Sequence, residues 1–181
     1  MDEKKLLELV RKHNPNQFGL IAADKIPFKQ ETRALCEANA CGKYGTNWMC
    51  PPAVGTIEVM EAICRSYQKA ILFNTVAPIE DSFDFEGMMA AGEEHKKMTA
   101  QIRNEIKTLY PGEDFMVLGA GGCNKCERCT YLDGEPCRYP DEVTASMEAC
   151  GIFVVDLCAA AGFHYINGAN TVTYFSLILF N

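Results

Sequence analysis

The segment Phe115-Met-Val-Leu-Gly-Ala-Gly-Gly-Cys123-Asn-Lys-Cys126-Glu-Arg-Cys129 joins a short apolar stretch to a run of small residues and then to three closely spaced cysteines. A fourth, Cys137, follows eight residues later, with Pro140 just beyond. The apolar stretch Phe115 to Leu118 predicts a buried strand, because it is short and bounded by glycine. We therefore expect these cysteines in a loop that leaves the end of a strand.

The spacing of these four cysteines favours one kind of metal site. Three thiols at three-residue steps, with a fourth across a tight turn, suit a compact cluster in which each iron binds one cysteine. Tetrahedral zinc is the alternative, although it usually takes two separated C-x2-C pairs, and Cys137 has no such partner. We predict one [4Fe-4S] cluster, with zinc as the alternative metal, at the set Cys123, Cys126, Cys129 and Cys137.

The run Gly119 to Gly122 follows a predicted strand, as a dinucleotide-binding loop would. The sixth position of a G-x-G-x-x-G pattern counted from Gly119 is Asn124, and cysteines occur where the phosphate-binding helix should begin. The nucleotide interpretation is therefore rejected. Glycines beside a cluster either direct backbone N–H groups at sulfur or simply permit a tight turn.

Cys36, Cys41 and Cys50 form a second set, within residues 31–56, where glycines and prolines predict a loop. Three thiols could hold a second cluster with one open iron, and a Lewis-acidic metal there would make the site catalytic. The alternative is that Cys36 is a buried small hydrophobe, with Cys41 and Cys50 acting as a redox pair or as supplementary ligands. A fourth ligand could be water, substrate or one of Cys64, Cys150, Cys158, His95 and His164.

The remaining cysteines, and His95, fall in apolar patterns. Cys64, Cys150 and Cys158 lie in predicted helices beside hydrophobic residues, so we expect them in the core. His95 lies on the apolar face of a long predicted helix, which is typical of a hydrogen-bonded core histidine.

Hydrophobic periodicity outside the cysteine segments predicts alternating helices and strands. We expect an α/β or α+β fold in which residues 1–181 form a single domain, with a central sheet flanked by helices and the cysteine-rich loops at one edge. The predicted helices are 3–12, 57–67, 85–109 and most of 146–162. The predicted strands are 18–23, 70–76, 115–118 and 171–180.

Composition limits the partners and the compartment. The 181 residues are 48% hydrophobic and carry a net charge of −7, which disfavours nucleic acid and anionic membranes as partners. No apolar stretch reaches the roughly 20 residues of a membrane span, and the amino-terminal residues do not resemble a signal sequence, so we expect a cytoplasmic protein. In a reducing compartment ten cysteines indicate metal ligands rather than disulfides, and with eight methionines they suggest an anaerobic source.

Four segments resemble a family of uncharacterised prokaryotic proteins that are predicted to bind metal through a cysteine-rich domain of unknown function. They are Cys41-Gly-Lys-Tyr-Gly-Thr-Asn-Trp-Met-Cys50-Pro-Pro, Cys123-x2-Cys126-x2-Cys129, Pro136-Cys137-Arg138-x-Pro140 and Ser146-Met-Glu-Ala-Cys-Gly151. The resemblance covers nearly the whole chain. It implies metal ligation by Cys41, Cys50, Cys123, Cys126, Cys129 and Cys137. Relatives usually carry another cysteine three positions before Cys41, where this chain has Ala38.

Three functions remain open on the sequence. The first is an iron-sulfur protein that exchanges electrons with a redox partner protein, whose basic docking face would suit the acidic charge. The second is an enzyme with an open iron near Cys36, Cys41 and Cys50. The third is a structural zinc protein or a metal-carrying accessory factor. A homodimer could form through the apolar last strand.

Overall fold

The sheet is organised around the last strand of the chain. The computed structural model describes residues 1–181, with strands β1 (Gln17–Ala22), β2 (Lys69–Pro78), β3 (Phe115–Leu118) and β4 (Thr171–Phe180). Their order in the sheet is β1-β2-β4-β3, and all neighbouring pairs are antiparallel. The predicted central sheet with flanking helices is confirmed in its α+β form, because no neighbouring strands are parallel.

Five helices flank this sheet. They are α1 (Glu3–Lys12), α2 (Gln30–Glu37), α3 (Ile57–Arg65), α4 (Phe85–Leu109) and α5 (Val154–Ala161). The bounds of α4 agree with the sequence prediction. The helix begins there because the Asp84 carboxylate accepts a hydrogen bond from the Gly87 backbone N–H at 2.8 Å, and Pro111 follows its end.

Two cores cover the two faces of the sheet, since successive strand side chains point in opposite directions. Ile71 and Phe73 of β2 belong to the core that packs against α1 and α4, whereas Leu72 belongs to the core that packs against α3 and α5. Cys64, Cys150 and Cys158 lie in this second core and are 0%, 0% and 1% exposed. Their predicted place in the core is confirmed.

Two segments differ from the sequence prediction. Residues 31–56 are not entirely a loop, because α2 occupies their start and carries Cys36. That helix is followed by a left-handed residue, Asn39, with φ 53°. In the second segment, residues 146–162, the helix begins only at Val154, because Gly151 has φ 87° and Ile152 pairs with Phe28 as an isolated β-bridge.

The short strand β3 determines where the cysteine loops lie. Its four residues pair only with Leu177–Phe180, so the first part of β4 has no strand on that side. Beyond β3, Gly119 donates its N–H to Ala145 at 2.9 Å and accepts the Met147 N–H at 3.1 Å, which continues the chain along this edge. The loop that carries Cys41 and Cys50 lies beside this unpaired half of β4, because both cysteines line one cavity with Thr173, Tyr174 and Phe175.

The position of β4 also bears on self-association. This strand has β2 on one side and β3 on the other, so the edge proposed for pairing with a second subunit is occupied where those strands run. The edge strands are β1 and β3 instead. None of the helices combines the length and the apolar composition needed to cross a membrane.

Candidate metal centre

The sequence predicted four cysteines around one site, and their side chains line one small cavity. We call it the four-cysteine cavity, defined by Cys123, Cys126, Cys129 and Cys137. Each of the four is partly buried. The rest of the wall includes Trp48, Met49 and Val143, together with Lys125 and Tyr139. The thiols therefore face a mainly apolar space at the protein surface.

A tight turn returns the chain from Cys129 to Cys137. Thr130–Asp133 forms a short 3-10 helix that ends at Gly134, whose φ of 70° is readily available to glycine. The Thr130 hydroxyl donates to the Pro136 carbonyl at 2.8 Å and closes the turn. This local geometry explains how two cysteines with seven residues between them line the same cavity.

The electrostatics of this cavity favour a positively charged occupant. Burial raises the pKa of the Cys123 thiol, and the negative charges of Cys129, Cys137 and Cys126 raise it further. The Lys125 backbone N–H donates to Cys123 and acts in the opposite direction. A second backbone N–H, that of Tyr139, donates to the Cys137 sulfur at 3.4 Å. Thiolates that line one cavity repel one another, and a bound cation removes that repulsion.

The residue types around this cavity are those that bind soft metals. All four candidate ligands are thiols, no carboxylate lines the cavity, and backbone N–H groups reach two of the sulfurs. The agreement concerns residue type and not side-chain placement, because nowhere in the chain do three or more histidine, cysteine, aspartate or glutamate side chains form a group that could hold a metal ion.

The second set of cysteines lines a separate, larger cavity of about 350 Å³. We call it the three-cysteine cavity, defined by Cys36, Cys41 and Cys50. Cys36 comes from α2 and is partly buried, Cys41 is exposed, and Cys50 is buried. Burial raises the pKa of Cys36, and the Arg33 guanidinium lowers it. The three predicted thiols thus share one cavity.

The glycine run lies where the two cysteine loops meet. Ala120, Gly121 and Gly122 line the three-cysteine cavity, and Cys123 follows them directly into the other cavity. A Cβ atom on Gly122 would lie 2.8 Å from Cγ of Lys43, which belongs to the first cysteine loop. Glycine at this position therefore permits a close approach between the loops.

The residues predicted as a fourth ligand for Cys36, Cys41 and Cys50 lie outside the three-cysteine cavity. Both ring nitrogens of His95 are hydrogen-bonded at 2.8 Å, Nδ1 to Thr75 and Nε2 to Ser176, and the residue is fully buried. The predicted core histidine is confirmed. His164 is exposed, and neither it nor Cys64, Cys150 or Cys158 lines the three-cysteine cavity.

Two charged residues near these cysteines were not singled out from the sequence: Glu148 in the wall of the three-cysteine cavity, and Arg33, whose charge lowers the pKa of Cys36. Glu148 lines the cavity, and the residue is exposed to solvent. The surrounding protein nevertheless desolvates its carboxyl group and thereby raises the pKa of that group. Arg33 is 7% exposed, and its Nε and Nη2 atoms have no hydrogen-bond partner. Glu148 could have been found as the carboxylate within Ser146-Met-Glu-Ala-Cys-Gly151, whereas Arg33 had no distinguishing signal.

Comparison with known proteins gives one match. A family described as predicted metal-binding protein, DUF2284, matches residues 19–180 and so covers every cysteine in both cavities. No curated protein and no solved structure matches the chain.

Proposed function

This chain belongs to the DUF2284 family of predicted metal-binding proteins, and on that premise we propose that its four-cysteine cavity holds a [4Fe-4S] cluster. The observation that carries this proposal is that four cysteines at iron-sulfur spacing in the sequence line one partly apolar cavity. Such a cluster supplies reversible one-electron chemistry when it is bound. We further propose that the protein exchanges electrons with a partner enzyme.

The surroundings of the thiols support electron exchange. All four cysteines lie in a surface loop and are only partly buried, so a docked partner could approach them closely. The N–H groups of Lys125 and Tyr139 direct partial positive charge at sulfur, which stabilises the more negative, reduced state of a cluster. The net charge of −7 suits a partner with a basic docking face.

Metal and sulfide analysis of protein purified without oxygen tests this proposal. About four irons and four sulfides per chain, with visible absorbance bleached reversibly by dithionite, are expected for one cluster. Cys126→Ser should remove that absorbance. Cys158→Ala, at a buried core cysteine, is the matched control and should keep it.

Zinc without acid-labile sulfide in the same preparation would contradict the iron-sulfur proposal. That result would favour the structural or metal-carrying role instead. A cluster that dithionite cannot reduce and oxidant cannot oxidise would leave metal binding in place and remove the electron-transfer role.

A second candidate function concerns the three-cysteine cavity. Three thiols and the Glu148 carboxylate line the same space of about 350 Å³, within the roughly 300–1,000 Å³ range of small-ligand sites. A cluster held by only three cysteines would present one iron to an added ligand, as an enzyme requires. The chain's own residues would then bind and orient a substrate beside that iron.

Iron content again distinguishes the candidates. About eight irons per chain in the wild type, falling to about four in Cys126→Ser, are expected if both cavities hold clusters. Cys41→Ser should remove the other four. Iron that is lost completely in Cys126→Ser would eliminate the second cluster.

A further inference from the structure

A large apolar groove runs beside the four-cysteine cavity. Its volume is about 1030 Å³, and its walls are mainly hydrophobic, with three aromatic side chains: Trp48, Tyr110 and Phe115. This volume is at the upper end of the roughly 300–1,000 Å³ typical of small-molecule sites. The groove and the four-cysteine cavity share a wall formed by Trp48, Met49, Cys137 and Val143.

One buried cation in the groove has a donor atom that makes no hydrogen bond. Arg103 of α4 lines the groove and is only 7% exposed. Its Nε atom is buried without a hydrogen-bond partner. Burial lowers the pKa of its guanidinium, and the nearby carboxylates of Glu142 and Asp141 raise it. Burying a charged group without pairing it is unfavourable, so such a group is expected to meet an anion.

The other charged groups of the groove are already engaged or exposed. Lys107 donates to the Asp141 backbone carbonyl at 3.0 Å and lies 3.9 Å from the Asp141 carboxylate. Asp114 makes a hydrogen bond with the Tyr67 phenol. Glu113 is exposed. The nearby carboxylates of Glu142 and Asp141 pair with Lys125 and Lys107, so Arg103 is the cation of the groove whose Nε–H remains available to a ligand.

Arg103 also marks the point where the groove meets a second, more polar cavity of about 430 Å³. Val143 and Thr144 line both spaces with it. Thr144 brings a hydroxyl group to the same junction. The junction thus offers a guanidinium and a hydroxyl to the head of a ligand whose apolar body lies along the groove.

We propose that the apolar groove binds a small aromatic monocarboxylate, with its carboxylate on Arg103 at the junction and its ring system between Trp48, Tyr110 and Phe115. A single unpaired guanidinium matches a single carboxylate, which it can bind through two parallel hydrogen bonds. The ligand would lie directly beside Cys137, across the shared wall. This proposal does not require that the four-cysteine cavity contains metal.

Displacement of a fluorescent probe tests the proposal on the protein as purified. N-phenyl-1-naphthylamine, a neutral aromatic probe, is expected to bind the groove and to be displaced by 1-naphthoate. The neutral, nearly isosteric 1-naphthamide should need about tenfold higher concentration, because it lacks the charge that Arg103 pairs with.

Two groove variants separate the role of Arg103 from general electrostatics. Arg103→Gln should weaken 1-naphthoate about tenfold and leave 1-naphthamide within about twofold. Lys107→Gln removes a cation that is already paired with Asp141, so it should weaken 1-naphthoate less than about threefold.

Several results would overturn the proposal. Equal displacement by 1-naphthoate and 1-naphthamide in the wild type would do so without any variant, which keeps the test decisive even where Arg103→Gln does not fold. A Lys107→Gln effect as large as that of Arg103→Gln would show non-specific attraction. Failure of the neutral probe to bind would show that the groove takes no aromatic ligand.

Discussion

Trp48 donates its indole N–H to the backbone carbonyl of Glu135 at 3.0 Å. The hydrogen bond joins the loop of Cys41 and Cys50 to the turn that places Cys137. The ring also packs edge-on against Tyr131, with 5.1 Å between centroids. One side chain therefore ties together the loops that form the two cysteine cavities.

Trp48→Phe should loosen this connection. Phenylalanine keeps an aromatic ring but leaves the Glu135 carbonyl without its donor, so we expect a loss of about 1 kcal/mol in the free energy of unfolding. Iron should also be lost to a chelator more quickly. Tyr131→Phe, which keeps the ring contact and does not touch the Glu135 hydrogen bond, is the control. Equal behaviour of the two variants in denaturant titration would argue against the role given to the indole N–H.

Gly122→Ala should separate the two loops through a steric contact with Lys43. The added Cβ would lie 2.8 Å from Lys43 Cγ, so the variant should be destabilised by about 1–3 kcal/mol. Lys43→Ala removes the contacting Cγ atom, and the double variant should recover most of that loss. A double-mutant cycle from chemical denaturation measures the recovery. Additive effects would mean that Gly122 is required for some other reason.

His95 should make stability depend on pH. Burial lowers the pKa of His95 to about 4, below its ordinary value near 6.5, so the unfolded chain binds a proton in this interval and the folded chain does not. Stability should consequently fall as pH decreases from about 6.5 to about 4, by about 3 kcal/mol in total. The measurement is denaturation of wild type and His95→Gln over this range. An unchanged slope in the variant would assign the pH dependence to other groups.

Thiol alkylation should divide the ten cysteines into two classes. Burial raises the pKa of Cys64 to about 11 and that of Cys158 to about 12, so these thiols, like the fully buried Cys150, should resist iodoacetamide in folded protein. Exposed Cys41 should react fastest in metal-free protein. The cysteines of a loaded site should be protected by metal, and peptide mass spectrometry reads each position. Equal labelling of the four-cysteine cavity with and without metal would oppose its proposed role.

The sequence predicted the regular elements well where hydrophobic periodicity was strong. Helix α4 and strand β3 agree with the prediction because a capping aspartate, a terminal proline and bounding glycines mark their ends. Helix α2 was missed, since turn-forming residues dominate residues 31–56 and only their beginning is helical. Strand order could not be inferred, because period-two patterns do not identify a strand's neighbours.

The sequence predicted the parts of the candidate site that depend on local spacing and missed those that depend on the tertiary fold. Cysteine spacing is local, so the sequence grouped Cys123, Cys126, Cys129 and Cys137 correctly around one cavity. The ligand roles of all seven loop cysteines remain predictions. Glu148 and Arg103 reach their cavities only through the tertiary fold, and a single arginine on a helix carries no sign that its guanidinium will be buried.

Because β4 is the last strand of the chain, part of the sheet can form only at the end of synthesis. Strand β3 has no strand neighbour other than β4, yet β4 is translated after all ten cysteines. During synthesis, the loop that begins at Gly119 therefore has no sheet to hold it until residues 171–180 leave the ribosome. A metal centre of the kind proposed for these thiols would therefore mature only after the sheet has closed.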